Sequence, residues 1–351
     1  MMAHVERDLP AVILWLVCQL HGNELPFRHL FSHCDGGLGT SGPDSFKGPI
    51  GKQCKEEIHL WDVVQFESIT TSLEDLDESV WKDLSRDQKL LYQYVKLIQT
   101  GVVSARLAIQ VAGPIDHSRW LTLAIRNTQI YTRTADPSPG LKMIVTYICQ
   151  VYTPMWFRIK AQSKFTKGPS HVLRLIQLVR EQPLEVQAVV KPAVQRNAYF
   201  AEPGIVLTSM LEDPDADVRK SGIKILEKVR SNPPKAPKSK YLKGIRKHEI
   251  PQLNWSAANW AEIIDLKKVK ICEPRILKKL SKEEVESAVD TPVCFPKYPC
   301  HSQTVERMVK LVTEVSSEVY GEKKQQEKAV AVLASRKSRK AYDTKKDYKV
   351  D

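Results

Sequence analysis

The sequence lacks any apolar run near the length of about 18 residues that a membrane-spanning helix needs. Its longest apolar run, residues 11–18, contains eight residues. The segment before that run carries Glu6, Arg7 and Asp8 and so lacks the positive charge of a secretory leader. No small-residue cleavage site follows Cys18. We therefore interpret residues 11–18 as a short buried strand and expect an intracellular protein.

Glycine and cysteine are also scarce. With 15 glycines and 21 prolines in 351 residues, the chain is neither collagen-like nor linker-like. Seven cysteines at irregular spacing do not form a disulfide framework, so we expect reduced thiols. Hydrophobic residues make up 42% of the chain, which is enough to bury a core and excludes wholesale disorder.

Basic residues are in excess, and they are clustered. Lys and Arg number 53 against 41 Asp and Glu, giving a net charge of +12. Residues 230–248 hold seven bases, three prolines and no acid, and residues 323–351 hold ten bases and four acids. Such segments can neutralise several phosphates, with binding that weakens steeply in salt. A solvated linker and a solvated tail are the alternative interpretation of these bases. A nuclear-import signal is a third interpretation. Because DNA binding and nuclear import both favour the nucleus, we expect the protein there rather than in the cytoplasm.

The middle of the chain has helical periodicity. Apolar residues fall on one face of a helix between residues 90 and 98, and helical patterns recur at 170–181, 184–196, 204–212 and 216–230. Helices are also predicted over 23–33 and 301–320, and Pro154 is predicted to kink an apolar segment over 140–161. No fixed period relates these segments, which excludes a solenoid. The predicted fold is mainly α, with a helical bundle-like body.

Shifts in composition predict six segments along the chain. They are a strand–helix–loop segment over 1–55, an acidic connection over 56–86, a helical domain over 87–230, a basic proline-rich linker over 231–250, a smaller helical region over 251–322 and a basic tail over 323–351. We expect the tail to be disordered. The bases of the linker are the candidate nucleic-acid-binding residues: Lys235, Lys238, Lys240, Lys243, Arg246 and Lys247.

Motifs with metal or catalytic chemistry are weak. Cys18, His21, His29, His33 and Cys34 are of types that bind zinc, but their spacing matches no closed zinc module, and buried cysteines with capping histidines would give the same pattern. The segment Gly-Pro-Ile-Gly-Lys at 48–52 is similar to the end of a phosphate loop but is followed by glutamine instead of Ser or Thr. We therefore predict no metal site and no cofactor from spacing.

Three segments in order resemble hAT-type cut-and-paste transposases. The first runs from Trp15 to Leu25 and contains Cys18-x2-His21, the second is Ser118-Arg119-Trp120, and the third runs from Pro299 to Arg307 and ends in a Ser-x-x-x-Glu-Arg pattern. The strings NELPFRHLF, SRWLT, VYTPMWF and QRNAYF are similar as a set to uncharacterised transposon-derived animal proteins, a likeness that extends over nearly the whole chain.

The resemblance implies an RNase H-like fold interrupted by a helical insertion, in which three carboxylates hold two Mg²⁺ or Mn²⁺ ions. It implies that Glu306 is the third acid and that Cys18, His21, Arg119 and Trp120 belong to structural motifs. The first two acids are expected on strands before Cys18, where Asp8 is the sole aspartate. We therefore expect the C-terminal part of a transposase, with a strand–helix remnant of the RNase H-like fold and two of three metal ligands absent. A surface Glu306 paired with Lys310 is the alternative interpretation.

Three hypotheses on function follow. The first is a transposon-derived, catalytically incomplete protein that binds DNA through its basic linker and tail. The second is a divalent-metal-dependent nuclease or transposase that is completed by upstream residues or by a partner chain. The third is a helical scaffold for protein–protein interactions. DNA and a second copy of the chain are the expected partners, and a membrane is not.

Overall fold

The computed structural model describes residues 17–38, 45–56, 64–102, 107, 110–113, 115, 119–232 and 250–301. The protein is mainly α-helical in these ranges. In chain order its helices are α1 (Gln19–Cys34), α2 (Pro49–Lys55), α3 (Glu78–Asp83), α4 (Arg86–Thr100), α5 (Arg119–Tyr131), α6 (Pro139–Tyr147), α7 (Thr153–Ala161), α8 (Gly168–Arg180), α9 (Leu184–Arg196), α10 (Pro203–Leu211), α11 (Ala216–Ser231), α12 (Arg275–Lys278) and α13 (Lys282–Ser287). Within the same ranges, β geometry is confined to an isolated bridge between Lys164 and Pro299.

Several predictions fall outside the described residues. The predicted strand over 11–18 is described only at its last two residues, which adopt no strand, and α1 follows them directly. The helix predicted over 301–320 is described only at His301, and most of the linker and the whole tail are not described. The residues up to Cys300 form one compact unit, and a second unit comprises His301–Asp351. The six segments therefore remain a prediction.

Local sequence signals set the ends of several helices. The Ser85 hydroxyl accepts from the Gln88 N–H and the Gln88 side chain accepts from the Ser85 N–H, which is a capping box at the start of α4. The helix ends at Gly101, whose φ of +69° is accessible to glycine without strain. Its predicted apolar face is buried, as its amphipathic pattern requires. The same reciprocal cap, made by Ser281 and Glu284, begins α13.

Pro154 interrupts the long apolar segment, as predicted, and the interruption is a π-helical turn over Ile148–Tyr152 that joins α6 to α7. Pro154 has no N–H for the carbonyl of residue 150, and its ring would clash with that carbonyl in a regular helix. The Thr153 N–H instead donates to the Ile148 carbonyl, five residues back. The Cys149 carbonyl is thereby released from the helix ladder and accepts a hydrogen bond from the Thr71 hydroxyl.

The core includes α10 and the segment from α6 to α7, and α8 packs against both α7 and α10. All nine residues of α10 are buried. Helix α1 packs mainly on α9 and also on α6, α4 packs on α5, and α11 packs on α10. Large side chains of α1, α6 and α7 contribute to one continuous apolar cluster that extends to Phe295. The N-terminal helix is therefore part of the same core as the predicted helical domain.

The region predicted as smaller and helical is mostly irregular where the structure describes it. Residues 250–301 contain α12, α13 and one 3-10 turn at Trp260–Glu262, joined by extended chain. Side chains of the preceding helices hold this chain in place. The Arg219 guanidinium donates to five backbone carbonyls, those of Asp213, Pro214, Ala288, Val289 and Asp290, at 2.7–3.3 Å. Such contacts to the backbone leave little periodic signal in the sequence.

A search for membrane spans among the described residues finds no helix with the length and apolarity that crossing a bilayer requires.

Candidate functional site

The structure places parts of all three segments of the resemblance against α1. The Gln19 N–H, next to Cys18, donates to the Cys300 carbonyl at 2.9 Å, so the first and third segments meet. The Trp120 ring of the second segment contacts Phe27 edge to face at 6.2 Å. The Arg28 guanidinium lies 5.7 Å from the same ring. The first and third segments are therefore neighbours although they lie far apart in the sequence.

The side chains at this junction have structural surroundings. Burial raises the pKa of the Cys300 thiol to about 12, mainly through desolvation, so it is not a thiolate nucleophile near neutral pH. His21 is half exposed, with Nδ1 3.5 Å from Glu24 Oε2, and its hydrogen bond to Glu24 raises the pKa of the imidazole. Arg119 begins α5. The arrangement supports a structural junction, and of its third segment the structure describes only residues 299–301.

The five residues of the zinc hypothesis contact different partners. Arg196 Nη2 donates to His29 Nε2 at 2.8 Å, and the Cys34 thiol donates to the Met143 sulfur at 3.6 Å. His33 Nε2 lies 3.9 Å from Glu185 Oε1. Across the described ranges, no group of three or more His, Cys, Asp or Glu side chains is arranged to hold a metal ion. A zinc site here would require these side chains to leave their partners.

In the segment that is similar to a phosphate loop, a carboxylate of the protein itself accepts the backbone N–H groups. The buried carboxylate of Asp35 accepts the Ile50 and Gly51 N–H groups at 2.9 Å, at the start of α2. A Cβ at Gly48 would lie 2.2 Å from the Asp35 carbonyl oxygen, and a Cβ at Gly51 would lie 2.5 Å from Asp35 Oδ2. These glycines therefore allow the backbone to close on Asp35, which agrees with our rejection of a phosphate loop.

A cavity of about 190 Å³ lies between the acidic connection and helices α7 and α8. It is lined by charges of both signs. Arg158 Nη1 lies 3.6 Å from Glu74 Oε1, and nearby Lys96 Nζ lies 3.1 Å from Asp75 Oδ1. Glu74 and Asp75 thus pair with cations, whereas Asp77 and Arg174, which also line the cavity, form no ion pair with a described residue. A single unpaired carboxylate is not the pair of acids that a hydrolase uses.

Sequence reasoning missed a basic surface in the folded part of the chain. Between residues 267 and 282 there are seven bases and one acid, Glu273. All seven bases are exposed, and Glu273 pairs with Arg230 at 3.0 Å. The excess of bases can be counted in the sequence. The region was predicted only as part of the smaller helical region over 251–322, and the sequence does not show that its bases are exposed.

Seven of the predicted site residues lie outside the described ranges. They are the candidate acid Glu306 and the six linker bases, Lys235, Lys238, Lys240, Lys243, Arg246 and Lys247. Only the flanks of the linker are described. Arg230 precedes it on α11, and Pro251 follows it, with its carbonyl accepting from Gln195 at 2.9 Å.

Comparison with known proteins finds no matching family model, no similar curated sequence and no similar solved structure. The likeness to hAT-type transposases therefore rests on its three short segments, and the function is argued from the sequence and from the described surface.

Proposed function

We propose that this chain is a transposon-derived nuclear protein that binds duplex DNA without sequence specificity, through the phosphate backbone. The observation that carries the proposal is the linker over 231–250, whose six Lys and Arg residues all precede its single acid, Glu249. Lysine and arginine that contact phosphates release counterions, and this favours binding at low salt. The described residues on either side of the linker, Arg230 and Pro251, both hydrogen-bond to the same compact unit.

The proposal assigns binding and not cleavage. Of the three acids that the resemblance implies, Glu306 is the single one with a matching position in this sequence. Two-metal phosphodiester chemistry needs several carboxylates to hold both ions. The short strand–helix remnant of an RNase H-like fold is part of this proposal, supported by α1 directly after the Cys18 position and by the contact between Gln19 and Cys300.

Titration of labelled duplex DNA with the full chain, from 50 to 300 mM salt, tests the proposal. We expect binding whose logarithm falls linearly with the logarithm of salt concentration. The linker variant K238Q/K240Q/K243Q/K247Q removes four charges and should flatten that slope by up to about 3.6 if each lysine contacts one phosphate.

The control variant K52Q/R86Q/K142Q/K297Q removes the same four charges from exposed positions of the helical body. It corrects for the loss of net charge alone. Absence of salt-dependent binding by the wild-type chain would contradict the proposal, as would equal weakening by the linker and control variants.

A further inference from the structure

The folded region after the linker carries a second concentration of positive charge. Lys268 pairs with Asp265 at 3.1 Å and Lys282 pairs with Glu286 at 3.7 Å. The remaining five bases are exposed and have no carboxylate within 4 Å among the described residues. We call these five the basic platform: Lys267, Lys270, Arg275, Lys278 and Lys279. Unpaired cations of this density are available to a polyanion.

Three members of the basic platform share one face of a short helix. Arg275, Lys278 and Lys279 lie at positions i, i+3 and i+4 across α12, where Cβ atoms are about 5–6 Å apart. Lys270 precedes Arg275 by five residues, so even fully extended chain keeps the two within roughly 18 Å. The cations are therefore close enough to act on one stretch of DNA backbone.

The basic platform is held rigidly by the core beneath it. Leu277 and Ile271, between its charged residues, are buried. The Arg230 guanidinium donates to the Leu277 and Leu280 carbonyls at 2.8 and 3.1 Å and to Glu273 Oε1 at 3.0 Å. The sole acid of the region is thus neutralised. A backbone that is already held in place loses less conformational entropy when a ligand binds.

Arg230 also places the basic platform beside the start of the linker. It is the first base of the acid-free stretch 230–248, and its guanidinium contacts the backbone of α12 directly. The linker therefore begins within one arginine side chain of the basic platform. The described end of α11 therefore contacts the surface at 267–282.

The chemistry of the surface favours a nucleic acid over a protein partner. Protein interfaces are usually centred on buried aromatic or large apolar anchors. The exposed large apolar residues of the described chain are Val102, Val111, Leu184 and Tyr298, and none belongs to residues 267–282. Four of the five platform cations are lysines, which act as point charges toward phosphate. The alternative, a merely solvated face, predicts no binding effect beyond net charge.

We propose that the basic platform binds the phosphate backbone of duplex DNA. This inference rests on the proposed function and assigns it a surface in the folded part of the chain. The phosphates contact the exposed side chains of the platform. Because each such contact releases counterions, the platform is expected to steepen the salt dependence of binding.

The test compares K267Q/K270Q/K278Q/K279Q with the linker variant and with the control variant K52Q/R86Q/K142Q/K297Q, all at equal charge. Duplex DNA binding is measured by fluorescence anisotropy from 50 to 300 mM salt. We expect the platform variant to bind at least about tenfold more weakly than the control variant near 150 mM salt, with its salt slope reduced by up to about 3.6. Because its lysines are exposed and unpaired, its thermal unfolding should match that of the wild type.

The possible outcomes separate the two proposals. If the wild type shows no salt-dependent binding, both proposals fail. If the wild type binds, the linker variant weakens and the platform variant matches the control, the linker alone carries binding and the basic platform is excluded. A platform variant that is weaker than the control supports the inference.

Discussion

At the residue scale, a buried histidine has one ring nitrogen bound to a backbone carbonyl and the other without a partner among the described residues. His171 on α8 is 1% exposed, and its Nε2 donates to the Gln162 carbonyl at 2.9 Å. Its Nδ1 has no partner among the described residues. Protonation would place a buried N–H without an acceptor there. Burial, with smaller effects of Arg158 and Lys167, lowers the pKa of His171 to about 4, although the hydrogen bond to Gln162 opposes the shift.

This depressed pKa predicts a pH dependence of stability. A histidine whose pKa is lower in the folded state than its ordinary 6.5 favours folding fully above pH 6.5. The free energy of unfolding should fall as pH decreases from 6.5 to about 4, by up to roughly 3 kcal/mol from this residue, and no further below. Denaturant unfolding at pH 7, 5.5 and 4 measures this decrease in the free energy of unfolding.

His171→Gln is the matched variant, because its amide can still donate toward the Gln162 carbonyl but does not titrate. It should lose stability at pH 7 and show a shallower pH dependence between 6.5 and 4. Parallel curves for the two proteins would show that other groups cause the acid sensitivity.

At the element scale, the π-helical turn explains how an extended segment is fixed on helical neighbours. Residues 64–77 form no helix, yet Thr71 contacts the Cys149 carbonyl and the Ile69 N–H donates to the Ile98 carbonyl. The carbonyl is free because Pro154 shifts the ladder before it. A proline in one segment thereby creates the acceptor for a threonine about 80 residues earlier.

Thr71→Val should destabilise the protein by about 1–3 kcal/mol, since it leaves the buried Cys149 carbonyl without its donor at nearly constant side-chain volume. Thr71→Ser keeps the hydroxyl and should cost less. The free energy of unfolding of the three proteins, measured with denaturant, checks this expectation. Equal losses for Val and Ser would mean that the methyl group, not the hydrogen bond, holds the segment.

The difference between periodic packing and single contacts decides which parts of the fold could be predicted from the sequence. Helices α8 to α11 coincide closely with the predicted helical patterns, because a buried helix face repeats every three to four residues. Helix α1 begins at Gln19, four residues earlier than predicted. Its first turns include Asn23, which is buried and donates to the Tyr152 carbonyl at 3.0 Å, and a buried polar residue adds nothing to an apolar pattern. Helix α2 lies in the part of the first segment that was predicted as loop. Its start is fixed by the Asp35 carboxylate, a contact that no local pattern encodes.

Residues 251–289, within the predicted smaller helical region, contain less helix than predicted for a related reason. Their fixed conformation comes from single contacts, such as Gln195 with Pro251, Arg180 with Trp255 and Arg219 with the carbonyls of 288–290. No local pattern encodes these partners. The basic platform was missed likewise, because its charges are in the sequence but their exposure and the contact of Arg230 with the backbone between them depend on the tertiary structure.

At the scale of the whole molecule, charge and chemistry point to different roles. The net charge of +12 and the clustered bases favour phosphate binding. Phosphodiester cleavage by two metals would instead need carboxylates that converge on one point. Within the described chain no such group is found, and Glu306 lies beyond it. The hypothesis of a metal-dependent nuclease therefore depends on residues that a partner or further sequence would have to supply.

Plasmid nicking tests that hypothesis directly. A lone Glu306 cannot hold two ions, so we expect the purified chain with Mg²⁺ or Mn²⁺ to nick supercoiled plasmid no faster than its Glu306→Gln variant. Glu318→Gln, a glutamate further along the helix predicted over 301–320, is the matched control for the loss of one negative charge. Metal-dependent nicking that disappears in Glu306→Gln but persists in Glu318→Gln would establish Glu306 as a catalytic acid and overturn the assignment of binding without cleavage.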